Sequence, residues 1–355
     1  IFRIVFLTIL TVAAIMILFL AENRFVIPVV CVLLLASYHN YRKDKEFLHT
    51  LTSHLPVFLI KEYTLITLPF AGMEMIKGYS HKPMGTVALG THLGNFSKED
   101  SLKYVEAIKY AVRNGIYSID GAINYRGMCS ERDEGVALAE LMNSGIITRE
   151  EVFISSKAGL LYGDISAKLP PMKYLSEKLE NKGISIEDFS EYEGLFQTLN
   201  PAFYEIALNK SLENLGLEMI DVYYIHIPEI TKLKLTEDEF YEKMEMLIRW
   251  YETKCFEGKI RYYGIAFEFM VEEPFENKWH IEIERIKNIA RKVSGEKNHF
   301  KYILFEYNIM CDWADTVKSQ MIDGVKMTMI EACKALELET VASMPFAMGD
   351  GFKKY

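Results

Sequence analysis

Four residues in this chain have the side chains and spacing needed to move a proton to a reacting oxygen. Asp120 ends the run Tyr-Ser-Ile-Asp, and Tyr125 follows five residues later. Lys157 closes Val-Phe-Ile-Ser-Ser-Lys, and His226 closes Asp-Val-Tyr-Tyr-Ile-His. A phenol at its usual pKa of about 10 exchanges protons poorly near neutrality. A neighbouring ammonium favours the phenolate and lowers that pKa, while a carboxylate keeps the ammonium charged and in place. An imidazole beside the phenol can orient a substrate carbonyl or share the proton. Singly, each has a plainer reading: a helix cap for Asp120, a packing aromatic for Tyr125, a solvated strand end for Lys157, a backbone-bonded core histidine for His226. Their joint position at successive strand ends favours chemistry.

Those ends belong to a regular alternation of strand and helix patterns beyond residue 85. Short β-rich runs occupy Val87–Thr91, Tyr117–Asp120, Val152–Lys157, Asp221–His226, Ile260–Phe267, Tyr302–Asn308 and Thr340–Pro345. Between them lie helix-period stretches. Ser97 opens one that runs to Arg113, Ser130-Glu-Arg-Asp133 opens another, and Thr236-Glu-Asp-Glu239 has capping-box spacing before a long helix to Phe256. Gly115, Gly216 and Gly258 each sit where a helix end wants a left-handed residue. Seven strand–helix units in series predict a parallel sheet wound as a (β/α)₈ TIM barrel, whose C-terminal strand ends converge on one site. No GxGxxG follows an early strand, which weakens the open dinucleotide-binding sheet. Residues 159–201 form an insertion after the third strand, expected to be a partly ordered excursion. It would serve as a lid or substrate wall, or equally as a surface elaboration.

These residues resemble the aldo-keto reductase family. The resemblance rests on Asp120-Gly-Ala-Ile-Asn-Tyr125 followed by Ser130-Glu131, on Phe-Ile-Ser-Ser-Lys157, and on Ser211-Leu-Glu-Asn-Leu-Gly through Asp221-Val-Tyr-Tyr-Ile-His226. Val87-Ala-Leu-Gly-Thr91 and Gly258-Lys-Ile-Arg-Tyr-Tyr-Gly-Ile-Ala266 match as well. It implies a barrel that reduces aldehydes or ketones, with Tyr125 as general acid, Lys157 and Asp120 tuning its pKa, and His226 positioning the carbonyl. The implied cofactor is NADP, with NAD open, held along Asn308, Ser343, Met344, Pro345 and Gly349. Departures concern that cofactor. The Ser-Asn pair common after the fifth strand is absent from Gly264-Ile-Ala-Phe-Glu268, and a frequent sixth-strand glutamine aligns with Leu304. The stacking aromatic of the seventh strand aligns with Ser343. The last βα unit is missing before Tyr355, so the natural chain is expected to run further, and the Ile at position 1 points the same way at the other end.

The chain has 355 residues, 50% hydrophobic and 25% charged, with net charge −9. That excludes intrinsic disorder and argues against nucleic acid as a partner. The five cysteines show no paired spacing and read as reduced thiols. No metal set stands out among the dispersed histidines. Residues 1–41 are different in kind: Ile1–Leu20 carries one charge, and a second apolar run follows Arg24. The first run is long enough for a hydrocarbon core of roughly 30 Å, so a transmembrane hairpin or anchor is expected. Arg42, Lys43 and Lys45 would place everything that follows in the cytoplasm. Residues 42–80 read as a juxtamembrane linker and 81–355 as the barrel. The expected protein is thus a membrane-tethered reductase taking a small carbonyl substrate, its oligomeric state open. The alternative is a membrane-associated nicotinamide-sensing regulatory subunit with little catalysis, and a third is an inactive binding scaffold.

Overall fold

The central apolar runs become strands because both their faces are covered. The third and fourth, Phe-Ile-Ser-Ser-Lys-Ala and Ile-Asp-Val-Tyr-Tyr-Ile-His, are buried at every position, as parallel strands flanked by helices must be. The structure, a computed structural model, describes residues 83–268 and 277–349. The expected anchor over 1–41 and linker over 42–80 lie outside the described residues. Among the described residues no helix is long and apolar enough to cross a membrane.

Seven strands form one sheet: β1 (Ala88–Gly90), β2 (Ser118–Asp120), β3 (Phe153–Ala158), β4 (Ile220–His226), β5 (Ile260–Ala266), β6 (Phe300–Glu306) and β7 (Glu339–Ser343). All neighbours are parallel, and their order in the sheet is their order in the chain. That sequential winding belongs to a barrel wall; a doubly wound sheet reverses direction part-way. β1 and β7 are its edges among the described residues, so the expected eight-unit barrel is seen as seven strands and stays open between them.

The intervening helices are α1 (Lys98–Arg113), α2 (Cys129–Asn143), α3 (Pro201–Leu215), α4 (Glu229–Lys234), α5 (Glu237–Phe256), α6 (Ile283–Ser294), α7 (Trp313–Thr316) and α8 (Met329–Ala335). Ser97 caps α1 by accepting from the Asp100 N–H, and Thr236 and Glu239 form the expected box at α5. Gly216 ends α3 in the left-handed region with φ 64°. The start of α2 is a correction. The helix begins one residue before Ser130 without a side-chain cap, because the Ser130 hydroxyl donates instead to the Thr91 carbonyl at 2.6 Å.

The insertion is also better ordered than expected. Leu161, Tyr162, Leu169, Tyr174, Leu175, Leu179 and Ile184 are all buried, and their apolar area stabilises a fixed excursion. Strands Ser190–Tyr192 and Leu195–Gln197 pair antiparallel within it. Arg132 on α2 grips Asp164 through two hydrogen bonds of 2.9 and 2.7 Å. Inside the barrel wall, Phe153, Val222, Tyr224, Ala266, Tyr302 and Leu304 form a separate apolar layer below the C-terminal rim.

Candidate active site

Side-chain alternation along the strands decides what reaches the rim. Phe153, Val222, Tyr224, Ala266, Tyr302 and Leu304 fill the interior, so every second residue from them faces inward. Continued to the C-terminal ends, that parity selects Lys157 on β3, His226 on β4 and Glu306 on β6. The register pairs Gly90 with Asp120 and Ser343 with Glu306, which places all four residues in inward rows.

At the centre lies a buried ion pair. Lys157, 1% exposed, puts Nζ 2.6 Å from Asp120 Oδ2 and 2.8 Å from the Gly121 carbonyl. Asp120 Oδ1 accepts from the Ser155 hydroxyl at 2.7 Å, so both carboxylate oxygens are engaged. Burial opposes the ammonium, but the charges of Asp120 and Tyr125 outweigh it and hold the lysine pKa above its ordinary value. Lys157 Nζ is 5.0 Å from the centre of the Tyr125 ring. Burial pushes the Tyr125 phenol up, and Lys157 pulls it back by charge and hydrogen bonding. His226 meets that ring edge-on at 5.8 Å. Burial, then the charge of Lys157, keeps the imidazole well below its usual pKa and therefore neutral at physiological pH. Among the described residues, His226 Nδ1 is buried without a partner.

Tyr125 is fixed by the turn that follows it. Arg126, Gly127 and Met128 have φ of 48°, 56° and 70°, a left-handed run costly at the two non-glycine positions. Arg126 offsets the strain: its buried guanidinium donates to Asp133 at 2.6 Å, to the Asn95 carbonyl at 2.9 Å and to Ser101 at 3.2 Å. Behind the lysine, α2 supplies two buried carboxyls. Glu131 accepts from Ser156 and Asn214 at 2.7 and 2.9 Å. Glu134 accepts from Thr91 at 2.8 Å. Burial raises both pKa values, that of Glu134 strongly. Gly121 is needed here, since a Cβ would stand 2.4 Å from Glu134 Oε1.

The four residues expected to carry chemistry are thus brought together. The expected cofactor contacts gather on a different stretch of the rim. Asn308 is spent as a brace: its amide donates to Glu306 at 2.8 Å and to the Met344 carbonyl at 3.0 Å, and its oxygen accepts from Met310. Ser343, half-buried, ends β7; Met344 follows in the left-handed region, Pro345 is exposed, and Gly349 closes the turn Ala347–Gly349. Two functional candidates escape sequence reasoning. His92, two residues past Gly90, packs against Tyr125 with ring centres 4.6 Å apart and the rings tilted at 49°. Glu268, two past Ala266, has its pKa raised by burial and by Glu306, and its charge acts on Tyr125. The parity of β1 and β5 carried two residues beyond each strand would have found both.

Fold and site define a barrel-type α/β protein with a buried Lys–Asp pair beneath a rim phenol. The profile of the Aldo/keto reductase family matches residues 83–355, and the chain belongs to that family. Relatives include aldo-keto reductase AKR2E4 of Bombyx mori, 30% identical over 165 residues, 46% of this chain and 40% of that protein. Glyoxal reductase of Bacillus subtilis is 27% identical over 248 residues, 67% of each chain. NAD(P)H-dependent D-xylose reductase I,II of Candida tropicalis is 24% identical over 176 residues, 45% of this chain and 42% of that protein. The chain therefore spans less than half the length of two of these relatives.

Proposed function

We propose that the protein reduces aldehyde or ketone carbonyls to alcohols with a nicotinamide cofactor, NADPH or NADH. The observation that carries this reading is the buried Asp120–Lys157 pair set beneath the Tyr125 ring with His226 at its edge. Relatives such as a glyoxal reductase and an NAD(P)H-dependent xylose reductase agree with it.

The rim suits the nicotinamide end of such a cofactor. Glu268 and Glu306 offer carboxylate acceptors for a carboxamide NH₂. Glu268 ends the stretch where many family members use a Ser-Asn pair, and Glu306 lies two residues past Leu304, the position aligned with their glutamine. Ser343 and the turn from Met344 to Gly349 would line the remainder. When bound, the reduced nicotinamide supplies a hydride to the carbonyl carbon. The chain's own part is the proton. Tyr125 gives its phenolic hydrogen to the carbonyl oxygen as negative charge develops there. Lys157 stabilises the phenolate left behind, and Asp120 keeps that lysine charged. Neutral His226 donates a hydrogen bond to the carbonyl oxygen and fixes its direction. Residues 1–41 would tether this activity to a membrane with the barrel in the cytoplasm, a reading supported by their apolar sequence and the following Arg42, Lys43 and Lys45.

Mixing the full-length protein with NADPH or NADH and a panel of aldehydes tests the reading. Aldehyde-dependent cofactor oxidation is expected. Tight cofactor binding with no oxidation for any aldehyde would overturn it in favour of a non-catalytic sensor.

A further inference from the structure

The insertion after β3 returns to the active site from behind. Its strand Leu195–Gln197 lies along the chain that leaves β3. Leu160 bridges Gln197 in an antiparallel sense, the Leu161 N–H donates to the Phe196 carbonyl at 2.7 Å, and the Thr198 N–H donates to the Gly159 carbonyl at 2.9 Å. The Gln197 side chain, fully buried, then joins two further elements. Its Nε2 donates to the His226 carbonyl at 3.4 Å, and its Oε1 accepts from the Thr231 hydroxyl on α4. Chemistry fixes that orientation, because a backbone carbonyl only accepts and so requires the NH₂ end. Gly159 lets the three meet: its φ is 131°, and a Cβ there would stand 3.0 Å from both Gln197 Nε2 and the His226 carbonyl. We propose that Gln197, held by Thr231, is a positioning residue through which the insertion aims the His226 imidazole. The inference rests on the reductase reading above and gives the insertion a role in that site.

His226 needs such support. Among the described residues its Nδ1 has no partner, so no hydrogen bond on that side of the ring aims it. The backbone must do so instead, and the backbone there is strained. Ile227 is β-branched yet sits in the left-handed region with φ 50°. Relaxing that strain would turn the peptide between His226 and Ile227, whose carbonyl Gln197 holds, and would shift the Cα that carries the ring. Apolar contact acts on the same turn. Leu160 at the start of the insertion and Ile230 on α4 are buried with Ile227, and Tyr192 of the insertion hairpin packs against them. A donor directed at the oxygen where charge develops is effective only in a narrow geometry, and a displacement of about 1 Å can cost 100-fold in rate.

The test measures kcat, KM and cofactor affinity in Gln197→Leu and Thr231→Val, each with and without His226→Ala. Gln197→Leu keeps the bulk of the side chain and removes the donor. Its kcat should fall about tenfold while KM and cofactor affinity stay within about twofold, and Thr231→Val should show a smaller loss of the same kind. In the His226→Ala background neither substitution should lower kcat further, since both act through the imidazole. The His226 ring signals in a proton–carbon NMR spectrum, assigned by their loss in His226→Ala, should shift in Gln197→Leu. An unchanged kcat, an equal loss in both backgrounds, or unmoved His226 signals would overturn the proposal and leave the reductase reading intact. Thr231→Val carries the same readouts if Gln197→Leu does not fold. Absence of wild-type turnover with every aldehyde would overturn the reductase reading, and the ring signals alone would then decide whether Gln197 positions His226.

Discussion

Lys157 works against its own surroundings, and that tension gives a measurable pH signature. Its charge lowers the Tyr125 phenol that burial has raised. If Tyr125 is the proton donor proposed above, its acid form is the active one in carbonyl reduction, and the rate falls as pH rises through the phenol pKa. In Lys157→Met the phenol pKa moves up, and the alkaline fall in kcat/KM should shift to higher pH while the plateau drops about 100-fold or more. A variant whose alkaline limb stays in place would show that Lys157 does not act on the phenol. Glu134 gives a second signature. Its folded pKa is raised by burial well above the ordinary 4.5, so the folded state binds its proton more tightly than the unfolded chain. That contribution is fully present below pH 4.5 and is lost as pH rises toward the folded value. Glu134→Gln imitates the protonated form, so its melting temperature relative to wild type should rise between pH 5 and pH 8. A gap that narrows over that range would contradict the assignment. At this scale the sequence disclosed Asp120, Tyr125, Lys157 and His226, because each ends or follows an apolar run. It concealed Glu134, which reads as an ordinary polar residue of α2 and becomes a buried acid only in the fold, where it packs close to Gly121.

Elements hold these residues by close backbone contact. α2 carries Glu131 and Glu134 against the sheet, and it meets α3 at Gly135, where a Cβ would stand 2.4 Å from the Asn214 carbonyl. Gly135→Ala must push the two helices apart. Because Asn214 also donates to Glu131, this substitution should cost about 1–3 kcal/mol of stability, read from urea unfolding. An unchanged midpoint would mean that the helices do not meet so closely. β5 and β6 impose a similar constraint at Gly264, whose Cβ would come within 2.1 Å of the Tyr302 carbonyl at a shift of register. The seven strands were legible to within about two residues, since buried parallel strands read as continuous apolar runs. The insertion was not. Its buried residues are spread through short turns and a small hairpin with no sustained period, so only tertiary packing reveals their order. The start of α2 was misread for a related reason: Ser130 looks like a cap but bonds across to β1.

The molecule as a whole joins a barrel wall to an N-terminal stretch of very different composition. The net charge of −9 argues against nucleic acid as a partner, and residues 1–41 contribute few charges to it. If those residues form the proposed tether, the full-length protein should sediment with membranes, resist high salt and carbonate, and enter solution only with detergent. Release by salt alone would contradict the tether without touching the reductase reading. The winding of the wall, strand after strand in chain order, brings residues separated by more than a hundred positions onto one rim, and the functional claim depends on that convergence. Its most direct test is Tyr125→Phe, which removes the hydrogen that the proposed reaction gives up and little else. With NADPH and an accepted aldehyde, cofactor binding should persist while turnover falls by about 100- to 10,000-fold. Turnover equal to wild type in that variant would contradict the account.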